Sequence, residues 1–149
     1  MNLNLFFTPT DILLPAHADM RRWSVIACDQ FTADAGYWQA VQDTVCDAPS
    51  TLRLMLPEFY LGKCDEAAAT REIQQTMRRY LDDGVFRTVP HSLVLVQRTL
   101  PGGAVRCGVV GALDLEAYDY APDSVTPIRA TEGTVASRLP ARVRIRAAA

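Results

Sequence analysis

The segment from Asp65 to Gly84 constrains the fold more than any other. Ala69, Ile73, Met77, Tyr80 and Leu81 recur at a spacing that lays them along one helical face, while Arg71, Glu72, Arg78 and Arg79 fall on the other. Asp65 can accept hydrogen bonds from the free amides of the first turn, and Gly84 stands where a helix commonly ends. A helix with a single apolar stripe has to bury that stripe against another element. The chain then changes period: Ser92 to Leu100 and Ala104 to Leu115 are apolar, β-branched runs joined by Pro101-Gly102-Gly103, which predicts an antiparallel hairpin. The expected class is therefore α/β (α+β): a small mixed sheet containing this hairpin, with two or three flanking helices.

Weaker signals fill in the rest. Asn2 to Ala16, broken by Pro9 and Pro15, reads as an extended lead-in with Ile12 to Leu14 packed inward. Trp23 to Cys28 reads as a first strand, and Thr32 or Asp34 can cap a helix holding Tyr37, Trp38, Val41 and Val45, stopped by Ala48-Pro49. Thr51 to Leu56, ended by Pro57, reads as a short strand. Glu116 to Pro127 has no period and reads as a loop. Thr131 or Thr134 could start a last helix, with Val135 and Leu139 on one side and Pro140 ending or kinking it. Arg142 to Arg146 alternates like an edge strand or the first turn of a further element.

With 149 residues, 49% hydrophobic and 21% charged, the chain is expected to fold as one α/β domain (1–149) or as the N-terminal part of a larger one. A formal net charge of −2 gives no global field to gather nucleic acid or anionic lipid. The arginine-rich end, Arg138 to Arg146, lacks the interleaved aromatics of a single-strand binder, so nucleic acid is not an expected partner. No apolar run reaches the roughly 18 residues of a membrane helix. Cys28, Cys46, Cys64 and Cys107 form no metal or redox spacing and are expected to be reduced thiols in a cytoplasmic protein.

The residues most able to carry chemistry lie between Ile128 and Val135. Arg129 and the nearby Arg138 could hold a phosphate through paired N–H donors, Thr131 and Thr134 could add hydroxyls at a helix start, and Gly133 would admit close backbone approach. Glu132 could act as a base or hold magnesium. Equally, Thr131 is a helix cap and the arginines are solvated, because the segment matches neither phosphate-cradling glycine motif. Asp29, after the expected first strand, is a ligand-facing or capping residue. Asp114, Glu116 and Asp119 could hold a metal or line a solvated loop. His17 and His91 stand outside any nucleophile or metal pattern.

Six blocks taken in order carry a family resemblance: Ile12-Leu-Leu-Pro15, Trp23 to Gln30, Asp47 to Leu52, Leu56-Pro-Glu58, Asp114 to Tyr120 and Ile128 to Val135. Together the chain resembles the domain-of-unknown-function 1015 family of bacterial proteins. The resemblance implies that the chain corresponds to the N-terminal portion of longer members and packs against their C-terminal part. It also implies a distant similarity to ParB-like nucleotide-binding proteins and free-serine kinases, whose aspartate-glycine-histidine motif does not occur in this sequence. On that similarity, Arg129 to Thr134, followed by Arg138 and Arg142, would form half of a nucleotide or phosphate site in a phosphotransferase-like protein, with magnesium and ATP or ADP as the implied cofactors. The alternative is a non-catalytic binding or regulatory module.

Overall fold

The computed structural model describes residues 6–130, 133 and 135–147. In chain order the elements are β1 (Phe7–Thr8), β2 (Thr10–Pro15), α1 (Met20–Trp23), α2 (Ala35–Val45), α3 (Glu66–Asp82), β3 (Phe86–Ser92), β4 (Val94–Thr99), β5 (Val105–Val110), β6 (Ala112–Leu113), β7 (Tyr118–Asp119), β8 (Ile128–Arg129) and α4 (Leu139–Arg146). This is a mixed α/β architecture whose strands are joined two by two: β1 with β6, β2 with β3, β4 with β5 and β7 with β8. Among the described residues, no helix is long and apolar enough to cross a membrane. The chain divides into two compact units, one of residues 1–14 and 88–134, the other of residues 15–87 and 135–149.

In the second unit, α3 follows its sequence pattern closely. The Asp65 carboxylate accepts from the amides of Ala67 and Ala68, both at 3.0 Å, and Gly84 takes a φ of 66°, a backbone open to glycine at little cost. The buried face is Ile73, Thr76 and Tyr80, while Leu81, expected on that stripe, is 53% exposed. The spacing i, i+3, i+7 centres the stripe on Thr76 and pushes Leu81 to its edge. α2 is capped by Asp34, whose carboxylate accepts from the Tyr37 amide at 2.9 Å. Trp38 and Val45, two turns apart on α2, are buried.

Both short strands expected in this unit are absent. After α1, residues 24–27 form no regular element, and Trp23 and Val25 bond to a side chain instead of a neighbouring strand. Thr51 Oγ1 donates to the Trp23 carbonyl at 2.7 Å and accepts from the Val25 amide at 3.3 Å. Thr51–Leu54 itself winds into a 3₁₀ turn capped by Ser50, so it has no extended edge to offer. Ser50 is fully buried, its amide donating to the Tyr80 hydroxyl at 3.0 Å. At the other end of the chain, Pro140 opens α4 instead of breaking it, because proline at the first helical positions loses no hydrogen bond. The helical alternative therefore holds for Arg142 to Arg146, and the edge strand does not. Gln74 on α3 donates to the carbonyls of Arg144 and Ile145 at 2.8 and 3.3 Å, satisfying the end of α4.

In the first unit the predicted hairpin is β4 and β5, antiparallel with Val94 opposite Val110 and Thr99 opposite Val105. Its turn closes through the Leu100 amide to the Ala104 carbonyl at 2.8 Å, with Gly103 at a φ of 82°. The Glu116 to Pro127 region is mostly turn, yet Tyr118 and Asp119 pair in parallel with Ile128 and Arg129. None of the described residues of this unit is fully buried. Among its described glycines the most crowded is Gly111, where an added Cβ would stand 2.7 Å from Phe7 and Leu93 side-chain carbons and 2.8 Å from the Thr8 carbonyl oxygen. A backbone oxygen has nowhere to go. Gly111→Ala is expected to destabilise the protein by about 1–3 kcal/mol, measured by urea unfolding, whereas Gly102→Ala, with open space around it, serves as the tolerated control.

Candidate functional site

The candidate site is a charged cluster within the second unit. A backbone bond from the Glu58 amide to the Cys28 carbonyl, 2.8 Å, brings the Leu56-Pro57-Glu58 segment beside Asp29. Arg138, at the N-cap of α4, and Arg142, inside it, reach the same place, because residues four apart share a helix face. Arg142 Nη2 donates to Glu58 Oε1 at 2.9 Å and lies 3.5 Å from Asp29 Oδ2. Arg138 Nη1 lies 3.3 Å from Glu58 Oε2, so one carboxylate spans two guanidiniums. The Glu58 side chain is only 8% exposed, while those of Arg138 and Arg142 are 46% and 40% exposed. The carboxylate is thus the buried anchor, and the guanidiniums reach outward from it.

Electrostatics follow from this geometry. A hydrogen bond from the Gln30 amide, helped by Arg142, holds the Asp29 carboxyl below its ordinary range. Its folded-state pKa lies below the unfolded one, so its contribution to stability is present above the unfolded value and is lost as pH falls through the folded value. The Glu58 hydrogen bond raises Arg142 above the usual guanidinium value and keeps it charged. Arg142 Nε is buried and meets no acceptor among the described residues. The adjoining hollow, walled by Cys28, Leu61, Ala141 and Ile145, measures about 10 Å³, roughly room for one water. Any larger anion would have to sit on the exposed side of the two arginines.

Of the residues singled out in the sequence, Thr131, Glu132 and Thr134 lie outside the described residues. Arg129 belongs to the first unit, exposed, with its Nε donating to the Thr126 carbonyl at 3.4 Å. Gly133 also belongs to that unit and is exposed, with open space where a Cβ would be. Arg138 and Asp29 are both placed in the second unit's cluster, linked through Glu58 and Arg142. Glu58 is the residue that sequence reasoning missed as a site residue; its block, Leu56-Pro57-Glu58, stood out only as part of the resemblance. The Asp114 and Asp119 carboxylates accept from the amides of Glu116 and Ala121, both at 3.0 Å, which is local turn capping. Among the described residues no group of three or more His, Cys, Asp or Glu could hold a metal ion. Any magnesium here would have to share its coordination with phosphate oxygens, which is its usual habit.

The model of the family described as protein of unknown function (DUF1015) matches residues 9–149. The chain belongs to this family. No curated protein and no solved structure matches it. The match takes in all four members of the charged cluster.

Proposed function

We propose that the chain contributes part of a phosphate- or nucleotide-binding site, with Arg138 and Arg142 as the anion-holding groups and Asp29 and Glu58 fixing their orientation. The observation that carries this reading is the convergence of two half-exposed guanidiniums on one buried carboxylate. Each guanidinium has five N–H donors in a planar fork, and Glu58 engages only part of each. The remaining donors are held in place ahead of any ligand, so less side-chain entropy is lost on binding. With two carboxylates against two arginines the cluster is neutral, so a phosphate would enter most easily with a divalent counterion, to which the half-exposed Asp29 can add one oxygen. Separately, the resemblance to ParB-like and free-serine-kinase proteins supports a phosphotransfer-class role for Arg129, Thr131, Glu132, Gly133 and Thr134.

A thermal-shift titration with ADP and ATP, with and without magnesium, tests this. At 100 times its dissociation constant a ligand stabilises the folded state by roughly 2.7 kcal/mol. The expected result is a magnesium-dependent rise in melting temperature that Arg138→Ala removes; a flat titration with a well-folded protein would refute the reading for these nucleotides.

The second reading, a non-catalytic docking module, has its own supporting observation. On β4 and β5, Leu95, Val105, Val109 and Val110 are each at least half exposed, and a two-stranded hairpin is marginal on its own. On this reading that apolar surface packs against a further polypeptide segment, such as the C-terminal part of longer family members.

A further inference from the structure

A second part of the same unit carries features that the charged cluster does not use. Between α2 and α3 lies a cleft of about 400 Å³, within the roughly 300–1,000 Å³ of small-molecule sites. Leu52 and Ile73 give it apolar walls, and Arg53, Arg79, Tyr60 and Glu72 stand around them. Among the described residues Arg53 and Arg79 form no ion pair, in contrast to Arg138 at the N-cap of α4 and Arg142 and Arg144 within it. Arg53 is held in place by backbone carbonyls, its Nε donating to Ala48 at 3.4 Å and its Nη2 to Cys46. Arg79 spends one Nη2 donor on Thr76 Oγ1 at 3.1 Å. Cys46, also on the cleft wall, holds a φ of 47° and a ψ of −128°, a backbone that costs an L residue of order 1–3 kcal/mol and tends to cluster at binding sites.

We propose that this cleft binds a small amphipathic oxyanion, a carboxylate or a phosphate ester with a short apolar body. The headgroup is held by Arg79 together with Arg53, and the body lies against Leu52 and Ile73. Glu72 sits two turns before Arg79 on α3 and therefore faces the ligand's body, where it can accept from a hydroxyl. Tyr60, whose hydroxyl accepts from Gln42 Nε2 at 2.7 Å, keeps its own proton for an oxygen of the ligand. The adjoining cleft also touches Arg53 and Arg79, but Asp47 and Asp83 line it, which directs an anion to the first cleft.

Isothermal titration with hexanoate, hexyl phosphate and hexylammonium tests this on the full chain. Saturable binding of either oxyanion and not of the ammonium is expected, and which of the two binds identifies the headgroup. Arg79→Gln is expected to weaken binding about tenfold or more, whereas Arg98→Ala, on β4, leaves it unchanged. Should Arg79→Gln fail to fold, Ala69→Trp, which fills the cleft from α3 without altering charge, is expected to abolish binding. No binding of either oxyanion, equal binding of the ammonium, or affinity insensitive to both cleft variants would overturn the proposal.

Discussion

Trp38→Ala is expected to lower the stability of the protein by about 3–5 kcal/mol, the largest effect of any single substitution considered. Trp38 is fully buried on α2, its ring packs edge-on against Tyr37 at 5.3 Å, and its Nε1 donates to the Phe31 carbonyl at 3.1 Å. Truncation removes the apolar transfer energy, leaves a cavity in a unit with few other fully buried side chains, and removes one hydrogen bond to the Phe31 carbonyl, which still accepts from the Asp34 amide at 3.2 Å. Against a typical total of 5–15 kcal/mol, such a loss leaves a substantial unfolded fraction at physiological temperature. Trp38→Phe, which restores most of the volume but not the donor, should recover more than half of the loss in urea unfolding. If Trp38→Ala cost under about 1 kcal/mol, α2 would not be packed as described.

Glu58→Ala is expected to cost about 2–3 kcal/mol, somewhat under the 3–5 kcal/mol of a fully buried pair because the two arginines are partly solvated. The substitution leaves Arg138 and Arg142 facing one another without their common carboxylate, and it unties α4 from the Leu56-Pro57-Glu58 segment. Glu58→Gln keeps the shape and one acceptor, so the difference between the two variants isolates the charge. A double-mutant cycle with Arg142→Ala should show coupling of about 1 kcal/mol or more. Additive losses would mean that the two side chains are neighbours without a working interaction.

Much of the second unit could be read from local pattern. Asp34 and Asp65 cap α2 and α3 because a short carboxylate before a periodic run has little else to do, and Gly84 ends α3 for an equally local reason. What failed was also local in origin. Trp23 to Cys28 is apolar and partly β-branched, as a strand would be, but Trp23 closes α1, strandhood is a property of pairs, and the expected partner, Thr51 to Leu56, is diverted into a turn by the Ser50 cap. Pro140 was weighed as a helix breaker because nothing in the sequence marked Leu139 as the first residue of α4, the one place where proline is harmless. The cluster lay further from reach still. Glu58 and Arg142 are 84 positions apart, and no periodicity links them; only the backbone bond from Glu58 to Cys28 and the docking of α4 on α3 bring them together. Asp29 was legible as a residue of interest, but its partner was not.

The cleft between α2 and α3 shows the same limit. Arg79 reads in the sequence as an ordinary solvated arginine and Arg53 carries no signal, and they become notable only once folding sets them on one hollow, with carbonyl and hydroxyl partners in place of carboxylates.

The central claim is that Arg138 and Arg142, steadied by Glu58, hold a phosphate group. Calorimetric titration of ADP with magnesium into the wild-type chain, Arg142→Lys and Arg142→Ala tests it most directly. The account predicts saturable binding to the wild type and a loss of roughly tenfold or more in affinity for both variants, since lysine keeps the charge but not the fork. Absence of saturable binding to the folded wild-type chain, or equal affinity in all three proteins, would contradict it.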